Sequence, residues 1–171
     1  MASLSKKRRA LYIEFLRRRL SGNYKQEKKM SDFIIVDGDM VNFLPPFGSA
    51  IVVPIPTTIT GSGENKATKK KACVDGDETS VESAGCMYMA PPYVIPGTGT
   101  LKIDKLAGDQ LAKKTNSGGK AVMLKGAQFD AVFEVQSPAM MPPPPSTPDS
   151  MTKYSGGKGM FINSNMTVKA G

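Results

Sequence analysis

Proline and glycine break this chain so often that long regular elements have almost nowhere to form. All 13 prolines and 17 glycines of the 171 residues lie from Gly22 onward. Proline removes a backbone donor and clashes inside a helix, and glycine costs helix stability. A helix is therefore expected only near the start, over residues 4–20, where Leu11/Phe15, Tyr12/Leu16 and Leu16/Leu20 stand four residues apart. The rest predicts an all-β fold of short strands and turns. An apolar fraction of 40% with no tryptophan supports a modest core.

Reading along the chain gives a series of short extended pieces. Phe33–Val36 precedes the turn Asp37-Gly38-Asp39. Ala50–Val53 sits among Pro45, Pro46, Pro54 and Pro56, which places it at a sheet edge. Residues 60–71 read as a polar loop with solvated Lys69, Lys70 and Lys71, and Ala72-Cys73-Val74 leads into a second acidic turn, Asp75-Gly76-Asp77-Glu78. Leu101–Asp104 alternates as a half-buried strand, and Ala121–Leu124 with Ala131–Val135 shows a hairpin pattern. Gly97, Gly99, Gly118 and Gly119 read as turn glycines, because none opens a phosphate-binding helix. Pro142–Pro145 form an extended spacer, and residues 159–163 and 166–169 two short strands beyond it. The resulting division is a basic extension (1–29), a β domain (30–137), a proline-rich spacer (138–149) and a short β tail (150–171).

The net charge of +8 resides wholly at the N-terminus. Residues 1–29 carry ten basic groups against Glu14 and Glu27, whereas 13 basic and 13 acidic residues balance after Met30. The basic segment has two readings. One is an arm for nucleic acid or an anionic membrane. The other, which we prefer, is an extension preceding a natural start at Met30. No stretch approaches the roughly 18 apolar residues of a membrane span, and no signal-peptide core is visible. A soluble, cytoplasmic protein is expected.

The chain has no histidine, which removes Ser-His-acid triads, Cys-His pairs and histidine metal clusters from consideration. Cys73 and Cys86 are expected as two buried thiols with no cofactor or metal; a zinc alternative would need nearby carboxylates such as Asp75 or Asp77. Asp37/Asp39 and Asp75/Asp77 are the candidate acid pairs for a small carboxylate hydrolase. Each pair flanks a turn glycine, where aspartate is common for conformational reasons, so no enzymatic activity is expected.

Several short motifs, in order, resemble PAAR-like proteins of type VI secretion spikes. They are Gly38-Asp39-Met40-Val41, the proline-rich run to Pro54-Ile55-Pro56, the stretch from Ala72-Cys73-Val74-Asp75-Gly76-Asp77 through Pro96–Leu101, and Gly119–Gly126. The resemblance covers residues 30–135. It implies a compact cone of short β-segments whose broad base sits on a trimeric VgrG-type spike. In that role the protein would sharpen a contractile injection apparatus, help deliver or recruit a separate effector or adaptor protein, and leave the cell with the spike. Zinc is not carried over, since the chain lacks a Pro-Ala-Ala-Arg string and histidine. For the spike-facing base the candidates are Phe43, Leu44, Phe47, Met87 and Met89.

Overall fold

The computed structural model describes residues 31–171, so the helix expected over residues 4–20 lies outside the described residues. Fourteen strands follow in order, all paired antiparallel: β1 (Asp32–Phe33), β2 (Met40–Phe43), β3 (Pro46–Phe47), β4 (Ala50–Val53), β5 (Thr57–Thr58), β6 (Lys66–Ala67), β7 (Lys70–Lys71), β8 (Glu82–Ala90), β9 (Tyr93–Lys105), β10 (Leu111–Ser117), β11 (Lys120–Met123), β12 (Phe129–Ser137), β13 (Lys153–Ile162) and β14 (Lys169–Ala170). A single 3-10 turn, Asp77–Ser80, is the helical element among the described residues.

Eight strands form one sheet in the order β3-β4-β8-β9-β12-β13-β2-β5. Its ends are not free edges. β2 runs directly into β3, and Leu44 N between them still donates to Lys158 O on β13. β4 likewise continues to β5, so β2/β3 and β4/β5 are the two arms of one long hairpin, paired at Pro46↔Ile51 near its turn and Met40↔Thr58 near its base. The sheet is thus three hairpins joined in a ring: β4 pairs β8, β9 pairs β12, and β13 pairs β2. Closure removes the unpaired donors and acceptors that an open sheet exposes. It also corrects the edge placement of Ala50–Val53. Pro45 and Pro46 lie on the facing arm and Pro54 and Pro56 beyond the end of β4, which leaves its own backbone free to pair with β3 and β8.

Alternation along the arms sends one face inward. Val41, Phe43, Ala50, Val52, Cys86, Tyr88 and Phe161 are buried, while the residues between them face out. The interior is narrow, and glycine makes room for its aromatic rings. A Cβ on Gly97 would overlap the Tyr88 ring, one on Gly99 the Phe133 ring, one on Gly157 the Phe47 ring and one on Gly159 the Phe129 ring. Gly97 and Gly99 are therefore inward-facing positions of β9, not turn residues: the rings beside them require a bare backbone. The aromatic side chains then meet one another at tilted or edge-on angles, with Tyr88 and Phe133 5.0 Å apart and Phe43 and Phe129 5.7 Å apart.

The residues after the proline run do not form a separate tail. β13 lies between β12 and β2, because Tyr154, Gly157, Gly159 and Phe161 supply an inward face that the ring requires. The proline-rich residues also fold back, with Met140 bonded to Ile95 in both directions and Asp149 N donating to Ala139 O. Similarly, β11 and β12 are both strands but not partners; β11 pairs β10, and β12 pairs β9 and β13.

Gly157→Ala is expected to destabilise the protein by about 1–3 kcal/mol through overpacking. Gly108→Ala, where an added Cβ meets nothing within 4 Å, should stay within about 0.5 kcal/mol of wild type. Urea unfolding of the two variants measures the difference.

Candidate functional site

Below the barrel, three chain segments meet in a closed triangle. Cys73 N donates to Ile35 O (2.9 Å), Met123 N to Cys73 O (2.8 Å) and Ile35 N to Met123 O (3.0 Å). The flanking residues close the same cycle through the bridges Val36↔Ala72, Val74↔Val122 and Leu124↔Ile34. A second set of bonds repeats it again: Asp37 N to Lys71 O, Asp75 N to Ala121 O and Lys125 N to Phe33 O. Segments 34–36, 72–74 and 122–124 are therefore equivalent about a pseudo-threefold axis. Ile35, Cys73 and Met123 point into the barrel core, whereas Ile34, Val36, Ala72, Val122 and Leu124 belong to a second, smaller core on the other side.

Each segment is entered from a two-stranded ribbon. β6–β7 leads into 72–74, β10–β11 into 122–124, and β14 with β1 into 34–36. The registers match: Ala67↔Lys70, Ser117↔Lys120 and Ala170↔Asp32 occupy corresponding positions, and small buried residues fill the inner side of all three. Two ribbons turn through positive φ, at Thr68-Lys69 and Gly118-Gly119, while Ser31 and Gly171 lie at the corresponding place in the third. Residues 60–65 are without strand, as the sequence suggests, but 66–71 form a ribbon where a loop is expected. Lysine-rich sequence obscured its two short strands.

After the triangle, each segment bends at a glycine with positive φ: Gly38, Gly76 and Gly126. Two turns are capped by carboxylates in the same manner. Asp39 accepts from Val36 N and from Ser164 N and Oγ; Asp77 accepts from Val74 N and from Ser62 N and Oγ. These buried carboxylates, one from each candidate acid pair, are occupied by structural hydrogen bonds. In the third unit the charges are exchanged. Lys70 and Lys120 bring Nζ to 3.8 and 3.5 Å of where a Cβ on Gly38 and Gly76 would stand, beside Asp37 and Asp75. At the matching position Asp32 accepts from Gly126 N (2.9 Å), beside Lys125.

The ribbons also concentrate positive charge. Exposed lysines stand at 66, 69, 70 and 71 on the first, at 113, 114 and 120 on the second, and at 169 on the third, where Asp32 is the single carboxylate. Ribbon side chains thus combine threefold repetition of position with a positive excess that residues 31–171, with 13 basic and 13 acidic groups, lack as a whole.

The candidate spike-facing residues separate in the structure. Phe43 and Phe47 are buried in the barrel core and offer no surface, and Leu44 is half-buried beside them. Met87 and Met89 are exposed on β8, directly across from Val53 and Ile51 on β4, which face out as well. Together they make an apolar strip on the barrel wall. The triangle and ribbons escaped the sequence reading. Val-Asp-Gly-Asp at 36–39 and again at 74–77 was the available signal, with Leu-Lys-Gly-Ala at 124–127 as its altered third copy.

At the end of the barrel away from the triangle the threefold pattern disappears. Two hairpins close tightly, at Phe47–Ala50 and Ala90–Tyr93, but the third spans the proline-rich residues between β12 and β13. That long connection is anchored by buried Asp149, which accepts from Tyr154 Oη (2.6 Å), Tyr88 Oη (2.8 Å) and Met151 N (3.0 Å). Burial alone would raise the Asp149 pKa, but the bonds from Tyr154, Met151 N and Tyr88 outweigh it and hold the carboxyl below its ordinary value. Burial, with the neighbouring carboxylate, pushes the Tyr88 hydroxyl up to about 12 and Tyr154 higher still. Cys73 is likewise pushed well above the usual thiol range by burial and by Asp77, Asp39 and Asp37; both cysteines are free and buried.

A carboxyl whose pKa falls on folding stabilises the protein above its unfolded pKa, and that contribution is lost as pH drops through the folded value. Stability contributed by Asp149 is therefore expected to be intact above about pH 4 and to fade below it. Tyr154→Phe should cost about 1–2 kcal/mol at pH 7 and make the acid loss shallower, as read by urea unfolding from pH 7 to 2. Asp39→Ala and Asp77→Ala should each cost about 1–3 kcal/mol, against about 0.5 or less for exposed Asp75→Ala.

Among known families, the model for contractile injection system spike tip proteins matches residues 30–171. No curated protein compared with the chain matches it. None of the described helical elements is long and apolar enough to cross a membrane.

Proposed function

The chain belongs to the family of contractile injection system spike tip proteins, and we propose that it works there by capping a trimeric VgrG-type spike. The observation that supports this reading is the closed threefold cycle of backbone bonds through Ile35, Cys73 and Met123. A single chain with three equivalent ribbons can offer one ribbon to each subunit of a trimer, so one monomer satisfies three identical sites at once. The opposite end, with two tight hairpin turns and one long proline-rich connection, lacks this repetition and points away from the spike.

In this reading the protein is a mechanical and docking element with no catalytic role. The ring of hairpins suits it to load, since every arm is paired on both sides. The strip formed by Ile51, Val53, Met87 and Met89 is where a separate effector or adaptor protein would dock, beside the tip and clear of the spike. The protein would be loaded in the cytoplasm and leave with the spike on contraction.

Native mass measurement of the full chain mixed with the trimeric spike protein encoded beside it tests the proposal. One copy bound per trimer is expected. Three copies per trimer, or no complex, would contradict it.

A further inference from the structure

The chain after Met30 is electrically balanced as a whole but not along its pseudo-threefold axis. The ribbon strands and their turns hold eight lysines and one carboxylate, Asp32, which is engaged with Gly126 N. The other described residues hold five lysines and twelve carboxylates. All three ion pairs among the described residues lie on the barrel: Lys102 with Glu82 and Glu134, and Lys158 with Asp130. No ribbon lysine has a carboxylate oxygen within 4.0 Å among the described residues.

Two details show that this charge is arranged. Lys66 and Lys71 stand directly opposite each other on β6–β7, a like-charge pairing that costs stability in the free protein. Lys169 occupies in the third ribbon the position that Lys66 occupies in the first, and Asn116 holds the position in the second. The same outward site around the axis is therefore lysine, lysine and a hydrogen-bonding amide.

From these observations we propose that the spike surface receiving the ribbons is an acidic protein face, with carboxylates repeated once per subunit opposite the Lys66, Asn116 and Lys169 positions. The proposal rests on the capping reading above and specifies the chemistry of the partner. A carboxylate at each site would relieve the Lys66–Lys71 repulsion and steer the cap into one of three equivalent orientations. Charge complementarity of this kind acts chiefly on association rate and specificity. Nucleic acid and anionic lipid also attract lysine, but neither presents charge with threefold repetition over a face this small.

The test measures binding of the full chain to the trimeric spike protein encoded beside it, at low and high sodium chloride. Lys66→Glu/Lys169→Glu is compared with the barrel control Lys105→Glu/Lys153→Glu, which changes net charge equally. Wild-type affinity is expected to fall about ten-fold or more between about 0.05 and 0.5 M salt. The ribbon variant should bind about ten-fold more weakly at low salt, mainly through slower association, and the control should stay within about two-fold. Lys66→Gln/Lys169→Gln should fall between them and keeps the test sound if the reversed pair unfolds.

A complex indifferent to salt and to the ribbon variants would overturn the acidic face while leaving the capping reading in place. Absence of any wild-type complex at either salt would remove both. Duplex DNA or phosphatidylserine vesicles that lose binding to the ribbon variants, with trimer binding retained, would assign the lysines to a polyanion and overturn the proposal.

Discussion

Three backbone hydrogen bonds, linking Ile35, Cys73 and Met123 in a cycle, hold the rest of the molecule in register. They join segments that are far apart in the chain, and each segment is the root of one ribbon and one long hairpin. Fixing the roots at three corners sets where the hairpins rise and allows β13 to reach β2 and close the ring. It also separates the two cores, because side chains of the central residues enter the barrel and those of their neighbours enter the ribbon layer. Backbone bonds suit this position. They impose the same geometry on three different sequences, so a single chain can present repeated geometry without repeated residues.

The barrel and the ribbon layer meet different demands. Inside the ring, aromatic rings lie against bare glycine backbone, an arrangement that is dense and intolerant of added volume. The ribbons have small residues inside and lysine outside, so their identity lies on the surface. A tip protein needs both: a stiff body that transmits force and a face that recognises what it is mounted on. The exchange of Lys70 and Lys120 for Asp32, matched by the exchange of Asp37 and Asp75 for Lys125, leaves one residue of each sign at these two positions in every unit, with the signs reversed in the third.

Much of the strand content was legible because its signals are local. Breakers excluded long helices, the Asp-Gly pairs marked real turns, and Leu101–Asp104 alternated as β9 does. Features that depend on ring closure were not. Gly97 and Gly99 resemble turn glycines until Tyr88 and Phe133 are placed over them, and Phe43 and Phe47 resemble an exposed base until the hairpins enclose them. The internal repeat was hidden for a related reason. Val36 and Val74 are 38 residues apart, but Val74 and Leu124 are 50 apart, since the intervening hairpins differ in length. In the third copy both aspartates of the turn are replaced, leaving Gly126 as the shared residue.

In the proposed role, the pseudo-threefold end is the one that meets the spike. Hydrogen exchange of the full chain, free and bound to the trimeric spike protein, tests it most directly. Added protection across residues 66–71, 111–123 and 169–171, with none at the turns 47–50 and 90–93, is the expected result. Protection confined to those hairpin turns and the proline-rich connection, with the ribbons unchanged, would contradict it.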